Sequence, residues 1–171
     1  MKILFVIAPD KFRDEEFEVP QKAFEEAGID YDVASTRIGT CVGFFGASVE
    51  AGITIEDAKE EDYDAIVIPG GIGAQDSLWG NSALLDLVKK FNEKGKVVAA
   101  ICLSPVVLAQ AGLLEGRQAT VYKSPASVHE MKSGGATLVD VAVVGDLNII
   151  TGNGPDASLE FTEMIIEKLG C

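Results

Sequence analysis

The sequence predicts an α/β fold, a doubly wound and mostly parallel sheet with helices on both faces. Two observations carry this expectation. Short runs at residues 2–8, 63–68 and 97–101 are apolar almost throughout instead of alternating, as strands buried on both faces are. Between them lie segments with apolar residues at helical spacing, and strands alternating with helices build parallel sheets.

In chain order, residues 2–8 form the first strand, which ends at Ala8-Pro9-Asp10. Asp14 to Ala27 reads as a helix stopped by Gly28. Phe17, Ala23, Phe24 and Ala27 recur at helical spacing, while Glu15, Glu18, Lys22 and Glu26 can face water. Pro20 within it predicts a kink or an irregular first turn. Asp30 to Ser35 is a second strand. Residues 36–54 are glycine-rich with β-prone residues between, which suggests a small antiparallel excursion from the main sheet. A short helix is expected over Ile55–Glu60, a buried strand over Tyr63–Ile68 and a glycine turn over Pro69–Gly73. Ser82–Glu93 reads as a helix ending at Gly95. Val97–Ile101 is the next buried strand and delivers Cys102 to a strand-to-helix corner. Ser104 suits the helix cap and Pro105 the first turn, where a missing N–H costs nothing; Gly112 stops that helix after Ala111. Gln118–Tyr122 is a further strand and Ala126–Lys132 a brief helix. Leu138–Val144 and Leu147–Thr151 flank Gly145-Asp146, a two-residue hairpin turn. Asp156–Leu169 is the final helix.

The chain of 171 residues has no Pro/Ser-rich linker, so one domain over 1–171 is expected. A domain of this size buries roughly 70% of its unfolded surface, enough for a core without staples. No apolar run approaches the ~20 residues that span a bilayer, and the start reads as a strand rather than a signal peptide. The net charge of −13 argues against nucleic acid or an acidic membrane as partner. Cysteines at 41, 102 and 171 with a single histidine show no metal-site spacing, so no metal is expected. Reduced thiols fit a cytoplasmic protein.

In open α/β sheets ligands bind outside the carboxyl ends of the strands, at the topological switch point. Three predicted strand ends carry notable residues: the first leads to Asp14-Glu15-Glu16, the third to Gly70-Gly71, and the fourth to Cys102. The loop Ala8-Pro9-Asp10-Lys11 has no glycine, which excludes a Rossmann or Walker loop there. Gly71-Ile72-Gly73-Ala74-Gln75-Asp76 puts Asp76 where the last glycine of a dinucleotide loop belongs. No cofactor is expected. At the corner, backbone donors and the positive helix end favour a thiolate on Cys102; otherwise Cys102 is a small apolar residue finishing a core strand. The Gly70-Gly71 amides can serve as oxyanion donors or simply form a tight turn.

The pattern Ile66-Val67-Ile68-Pro69-Gly70-Gly71, followed about thirty residues later by Ala99-Ala100-Ile101-Cys102, resembles the ThiJ/PfpI superfamily. These are small cysteine proteins related to the parkinsonism-associated deglycase and to archaeal intracellular proteases. The resemblance also takes in Glu15-Glu16-Phe17-Glu18-Val19-Pro20, the excursion from Gly39 to Thr54, and Gly154-Pro155 before the last helix. It implies a flavodoxin-like, class I glutamine amidotransferase-like sandwich, Cys102 on a nucleophile elbow, and a homodimer or larger oligomer. It further implies that Glu16, four residues before Pro20, brings its carboxyl to the Cys102 thiol, with Gly70, Gly71 and the Leu103 amide as backbone donors.

The departures from the family pattern are informative. The protease-like branch has histidine directly after the cysteine, where this chain has Leu103, and a glutamate near Gln75. The glyoxalase-like branch often has a histidine where this chain has Tyr122. Asn153 replaces a basic residue common before the Gly-Pro, and Tyr122 and Asn153 are expected to line the substrate pocket. His129 reads as an exposed helical residue. Peptide hydrolysis needs an acid for the amine leaving group as well as an activated nucleophile, so peptidase activity is not expected. The readings left are glyoxalase- or deglycase-type chemistry on small carbonyl compounds through Cys102 and Glu16, a thiol redox sensor or stress-protective protein without turnover, and a degenerate peptidase-like hydrolase or binding module.

Overall fold

The computed structural model describes residues 1–171. The first half runs β1 (Lys2–Val6), β2 (Asp10–Phe12), α1 (Asp14–Glu26), β3 (Asp30–Ser35), β4 (Gly39–Gly43), β5 (Ser48–Ala51), β6 (Ile53–Thr54) and β7 (Ala65–Ile68). The second half runs α2 (Ile72–Ser77), α3 (Ser82–Glu93), β8 (Val97–Ile101), α4 (Pro105–Gln110), β9 (Gln118–Ala119), α5 (Pro125–Ser133), β10 (Thr137–Leu138), β11 (Val143–Asp146), β12 (Ile149–Gly152) and α6 (Ser158–Leu169). No helix is long and apolar enough to cross a membrane.

Seven strands form the central sheet in the order β11-β12-β8-β7-β1-β3-β6, all parallel except β11, which pairs antiparallel with β12. Strands β1, β7 and β8 lie in its middle and are almost wholly buried, which is why their sequences do not alternate. Helices α1 and α6 pack together on one face, while α3, α4 and α5 form the other layer. The predicted α/β sandwich is therefore the observed one. Because the chain passes from β1 to β3 on one side and then returns to β7 on the other, the topological switch point lies between β1 and β7.

The first helix is fixed by aromatic packing. Phe17 stacks 4.7 Å and Phe24 5.7 Å from Phe5 of β1, centroid to centroid. Residues 16, 20 and 24 are buried and share one stripe, so the same contacts turn Glu16 inward. The helix runs through Pro20 from Asp14 to Glu26, in place of an irregular first turn.

Other local expectations are corrected by long-range pairing. Residues 55–60 form no helix; a single 3₁₀ turn occurs at Glu60–Asp62, and Ile55 instead donates its N–H to the Ser35 carbonyl at 2.9 Å. The strand expected over Gln118–Tyr122 is only Gln118–Ala119, because Thr120 bonds to the Thr151 hydroxyl and Tyr122 to the Cys102 carbonyl. Leu138–Val144 is split between β10 and β11. The hairpin turn sits at Leu147-Asn148, two residues beyond Gly145-Asp146, since Asp146 pairs with Ile149. The expected antiparallel excursion is β4 with β5, to which the unforeseen β2 adds a third strand; Ile53–Thr54, expected within it, is instead β6 of the main sheet, because it pairs parallel with the β3 edge.

Candidate active site

Cys102 stands between β8 and α4 with a φ of 64°, a left-handed conformation that costs an L side chain roughly 1–2 kcal/mol. Hydrogen bonds hold the backbone there. The Cys102 N–H donates to the Gly152 carbonyl at 2.9 Å, and its own carbonyl accepts from the Tyr122 N–H at 2.8 Å. The Leu103 carbonyl accepts from the indole Nε1 of Trp79 at 2.8 Å. The backbone N–H groups of Gly71 and Leu103 favour the ionised form of the sulfur. Ser104 does not cap the helix; its hydroxyl donates to the Pro69 carbonyl at 2.7 Å and joins the ends of β7 and β8. Pro105 occupies the first helical turn as expected.

The two glycines are required by close approach. A Cβ on Gly70 would stand 2.6 Å from the Ile101 carbonyl oxygen and 2.7 Å from the Cys102 Cβ. Gly71 has a φ of 100°, and a Cβ there would lie 2.6 Å from both the Arg13 nitrogen and the Lys11 carbonyl oxygen. Without side chains at these positions, the segment leading into α1 can pack against the ends of β7 and β8.

Glu16 enters from that segment. It is 0% exposed, and neither carboxyl oxygen has a hydrogen-bond partner. The Cys102 thiol, the Arg13 guanidinium and the Gly70 backbone favour its ionised form, while the charge on Glu15 opposes it. Burial outweighs them and pushes the carboxyl up to about 8. Burial is also the first cause raising the Cys102 thiol to about 12; charge on Glu16 raises it further, and the Gly71 and Leu103 N–H groups oppose the rise. The expectation of a readily formed thiolate is therefore corrected: desolvation of the sulfur exceeds what the corner's donors return. At neutral pH Glu16 keeps its proton, which withdraws the second of the upward causes from the thiol.

A cavity of about 220 Å³ opens over Cys102, walled by Gly71, Leu103, Phe44, Ile72, Tyr122 and Pro155, with Arg13 at its edge. Tyr122 lines this cavity through a half-exposed side chain. Asn153 does not. It lines a neighbouring cavity of about 320 Å³ with Lys123, Asp140 and Asp156, across the Tyr122–Pro155 wall. His129 is exposed on α5, and Gln75 lies on α2 outside the Cys102 cavity. No three His, Cys, Asp or Glu side chains converge as they would to hold a metal ion.

Sequence reasoning missed Arg13, Phe44 and Trp79, and noted Asp14 only as part of an acidic run. The Arg13 Nε donates to Glu15 at 2.7 Å, and its guanidinium lies 4.8 Å from the Phe45 ring centroid. The Asp14 carboxylate accepts from the N–H groups of Phe45 and Ala47 at 2.9 and 2.8 Å, which fixes the turn carrying Phe44. Nothing in the local sequence separates Arg13 from other surface arginines.

Residues 1–168 match the model of the DJ-1/PfpI family. An uncharacterized protein of Methanocaldococcus jannaschii is 52% identical over 98% of this chain and 82% of its own length. A deglycase of Pyrococcus horikoshii is 36% identical over 91% of each chain. The crystal structure of a ThiJ/PfpI domain protein from Brachyspira murdochii superposes with a TM-score of 0.93 at 34% identity, over 99% of this chain and 96% of that one.

Proposed function

The chain belongs to the DJ-1/PfpI family, and we propose that it performs cofactor-free chemistry of glyoxalase or deglycase type on small reactive carbonyl compounds. Cys102 is the nucleophile and Glu16 the acid and base. The observation that carries this reading is the buried Glu16 carboxyl, unpartnered beside the thiol and raised to about 8. A carboxyl so placed is a base poised near neutral pH, where proton transfer is most effective.

With a 2-oxoaldehyde such as methylglyoxal, the ionised Glu16 takes the thiol proton as the sulfur attacks the aldehyde carbon. The S–C bond forms, the carbonyl pair moves to oxygen beside the Gly71 and Leu103 N–H groups, and Glu16 returns the proton to that oxygen. Removal of the C1 hydrogen by Glu16 and its return to C2, with the hydroxyl proton moving to the neighbouring oxygen, give a 2-hydroxyacyl thioester. Water then releases the hydroxy acid and restores the thiol. The sum is substrate plus water, with no external oxidant or reductant. An amine-bound dicarbonyl, a hemiaminal, enters the same route: the S–C bond forms as the C–N bond breaks, and Glu16 passes the thiol proton to the departing amine. Tyr122 borders the adduct and orients it.

A redox-sensor role would call for an easily ionised thiol, and burial pushes Cys102 the other way. Self-association into a homodimer or larger assembly belongs to the proposal. Phe44 and Phe45, 55% and 65% exposed beside the cavity, supply apolar surface for it, and a monomer mass by sedimentation would remove this part.

The deciding experiment is lactate formation from methylglyoxal, with Cys102→Ser as the blank. Turnover above the blank is expected, with kcat/KM rising with pH and levelling above about 8 as Glu16 ionises. Glu16→Gln should lower it by about 100-fold or more and flatten the profile. No lactate above the blank would overturn the proposal.

A further inference from the structure

We propose that Arg13 makes the Cys102 cavity a receptor for small carbonyl compounds that also carry a carboxylate. This rests on the carbonyl reading of the site and adds its substrate class. Arg13 is the one basic residue on a cavity wall otherwise formed by apolar groups, glycine, tyrosine and the cysteine itself. Its guanidinium is held from two directions: Nε donates to Glu15 at 2.7 Å, and Cζ lies 4.8 Å from the Phe45 ring centroid. The Arg13 main-chain N–H donates to the Gly70 carbonyl at 2.9 Å, so the residue is tied to the backbone donors of the site.

Neither Nη group donates a hydrogen bond within the protein. A positioned guanidinium with its outer edge free is suited to bidentate recognition of a planar carboxylate. Glu15 engages the Nε side from a partly solvent-exposed position, and Glu16 keeps its proton at neutral pH. Neither carboxyl therefore displaces an incoming anion from the Nη edge. A cavity of about 220 Å³ is smaller than the ~300 Å³ at which drug-sized sites begin. It suits a ligand of a few heavy atoms, with its carbonyl over the sulfur and its carboxylate on Arg13. The chain as a whole carries −13, which repels anions generally, so any preference for an anion at Cys102 must come from a local group.

The test uses alkylation of the full chain by iodoacetate, which is anionic, and by iodoacetamide, its neutral counterpart. In each case Sγ bonds to the CH₂ carbon, iodide leaves and the thiol proton passes to solvent. Rates at Cys102 and at the exposed Cys171 are followed separately by peptide mass spectrometry. The iodoacetate-to-iodoacetamide ratio at Cys102 should fall about tenfold in Arg13→Gln, with Arg13→Lys between, while the ratio at Cys171 stays put. Taking the ratio cancels any change in thiol ionisation, and Arg13→Lys, which keeps the charge but not the planar fork, separates carboxylate recognition from a bare field: a Lys variant with the parent's ratio would overturn bidentate recognition. Glyoxylate should also protect Cys102 from iodoacetamide better than neutral glycolaldehyde does, and lose that advantage in Arg13→Gln. An unchanged Cys102 ratio in Arg13→Gln would overturn the receptor. Failure of lactate formation with the ratio effect intact would overturn turnover and leave the receptor standing.

Discussion

Asp14 and Glu16 sit two residues apart in the first turn of α1, and both are buried, at 5% and 0% exposure. They meet different surroundings. Asp14 accepts two backbone N–H groups from the β4–β5 turn, whereas Glu16 accepts none and is lifted to about 8. Burial alone does not set what a carboxyl does; the donors waiting for it do. Asp14 is an anchor whose charge is spent on holding a turn. Glu16 is a proton store placed against a thiol.

The largest effect that tests this contrast is on stability against pH. The folded pKa of Glu16 is raised, so its stabilising contribution is complete below the unfolded value near 4.5 and is lost as pH rises toward about 8. In that window the unfolded chain ionises Glu16 and the folded chain does not. Glu16→Gln should therefore match the parent near pH 4 and exceed it at pH 8 by up to about 5 kcal/mol. Chemical denaturation at the two pH values measures this, and equal differences at both would mean that Glu16 is not desolvated as described.

Next in size, Asp14→Ala should cost about 2–4 kcal/mol by removing a charged acceptor from two N–H groups, with the β4–β5 turn losing hydrogen-exchange protection first. A loss spread evenly over the sheet would refute the anchor role. Between the two carboxyls lies the Cys102 thiol. Its alkylation profile in Glu16→Gln should move to lower pH, because the charge that raises the thiol is gone; a profile unmoved from the parent's would separate the two groups. The smallest stability effect is expected at the neighbouring ion pair: Arg13 and Glu15 are partly exposed, so Arg13→Gln should cost about 0–1 kcal/mol.

Much of the architecture was legible. The uniformly apolar strands identified the parallel sheet, and the run Val97–Ile101 ahead of Ser104-Pro105 placed Cys102 at a strand-to-helix corner, because strand burial and helix starts are written in local residue types. The elements that went astray were those whose fate lay elsewhere in the chain. Gly145-Asp146 has a hairpin-turn composition, yet Asp146 accepts the Gln118 N–H at 2.9 Å and β12 pairs with β8, which carries the turn two residues onward. Residues 55–60 had too few apolar positions to hold a helix against the pull of the β3 edge, to which Ile55 is bonded.

By itself, then, the sequence determined the fold class, the family resemblance, and the presence of a cysteine at a strand-to-helix corner, with Glu16 as its companion only through that resemblance. Tertiary structure alone decided that Glu16 is wholly desolvated, that the thiol is raised rather than lowered, that Asn153 faces a different cavity, and that Arg13 reaches the Cys102 pocket. Periodicity and turn chemistry act between neighbours in sequence. Desolvation and charge act between neighbours in space, and Glu16 and Cys102 become such neighbours only when β1, β7 and β8 lie side by side.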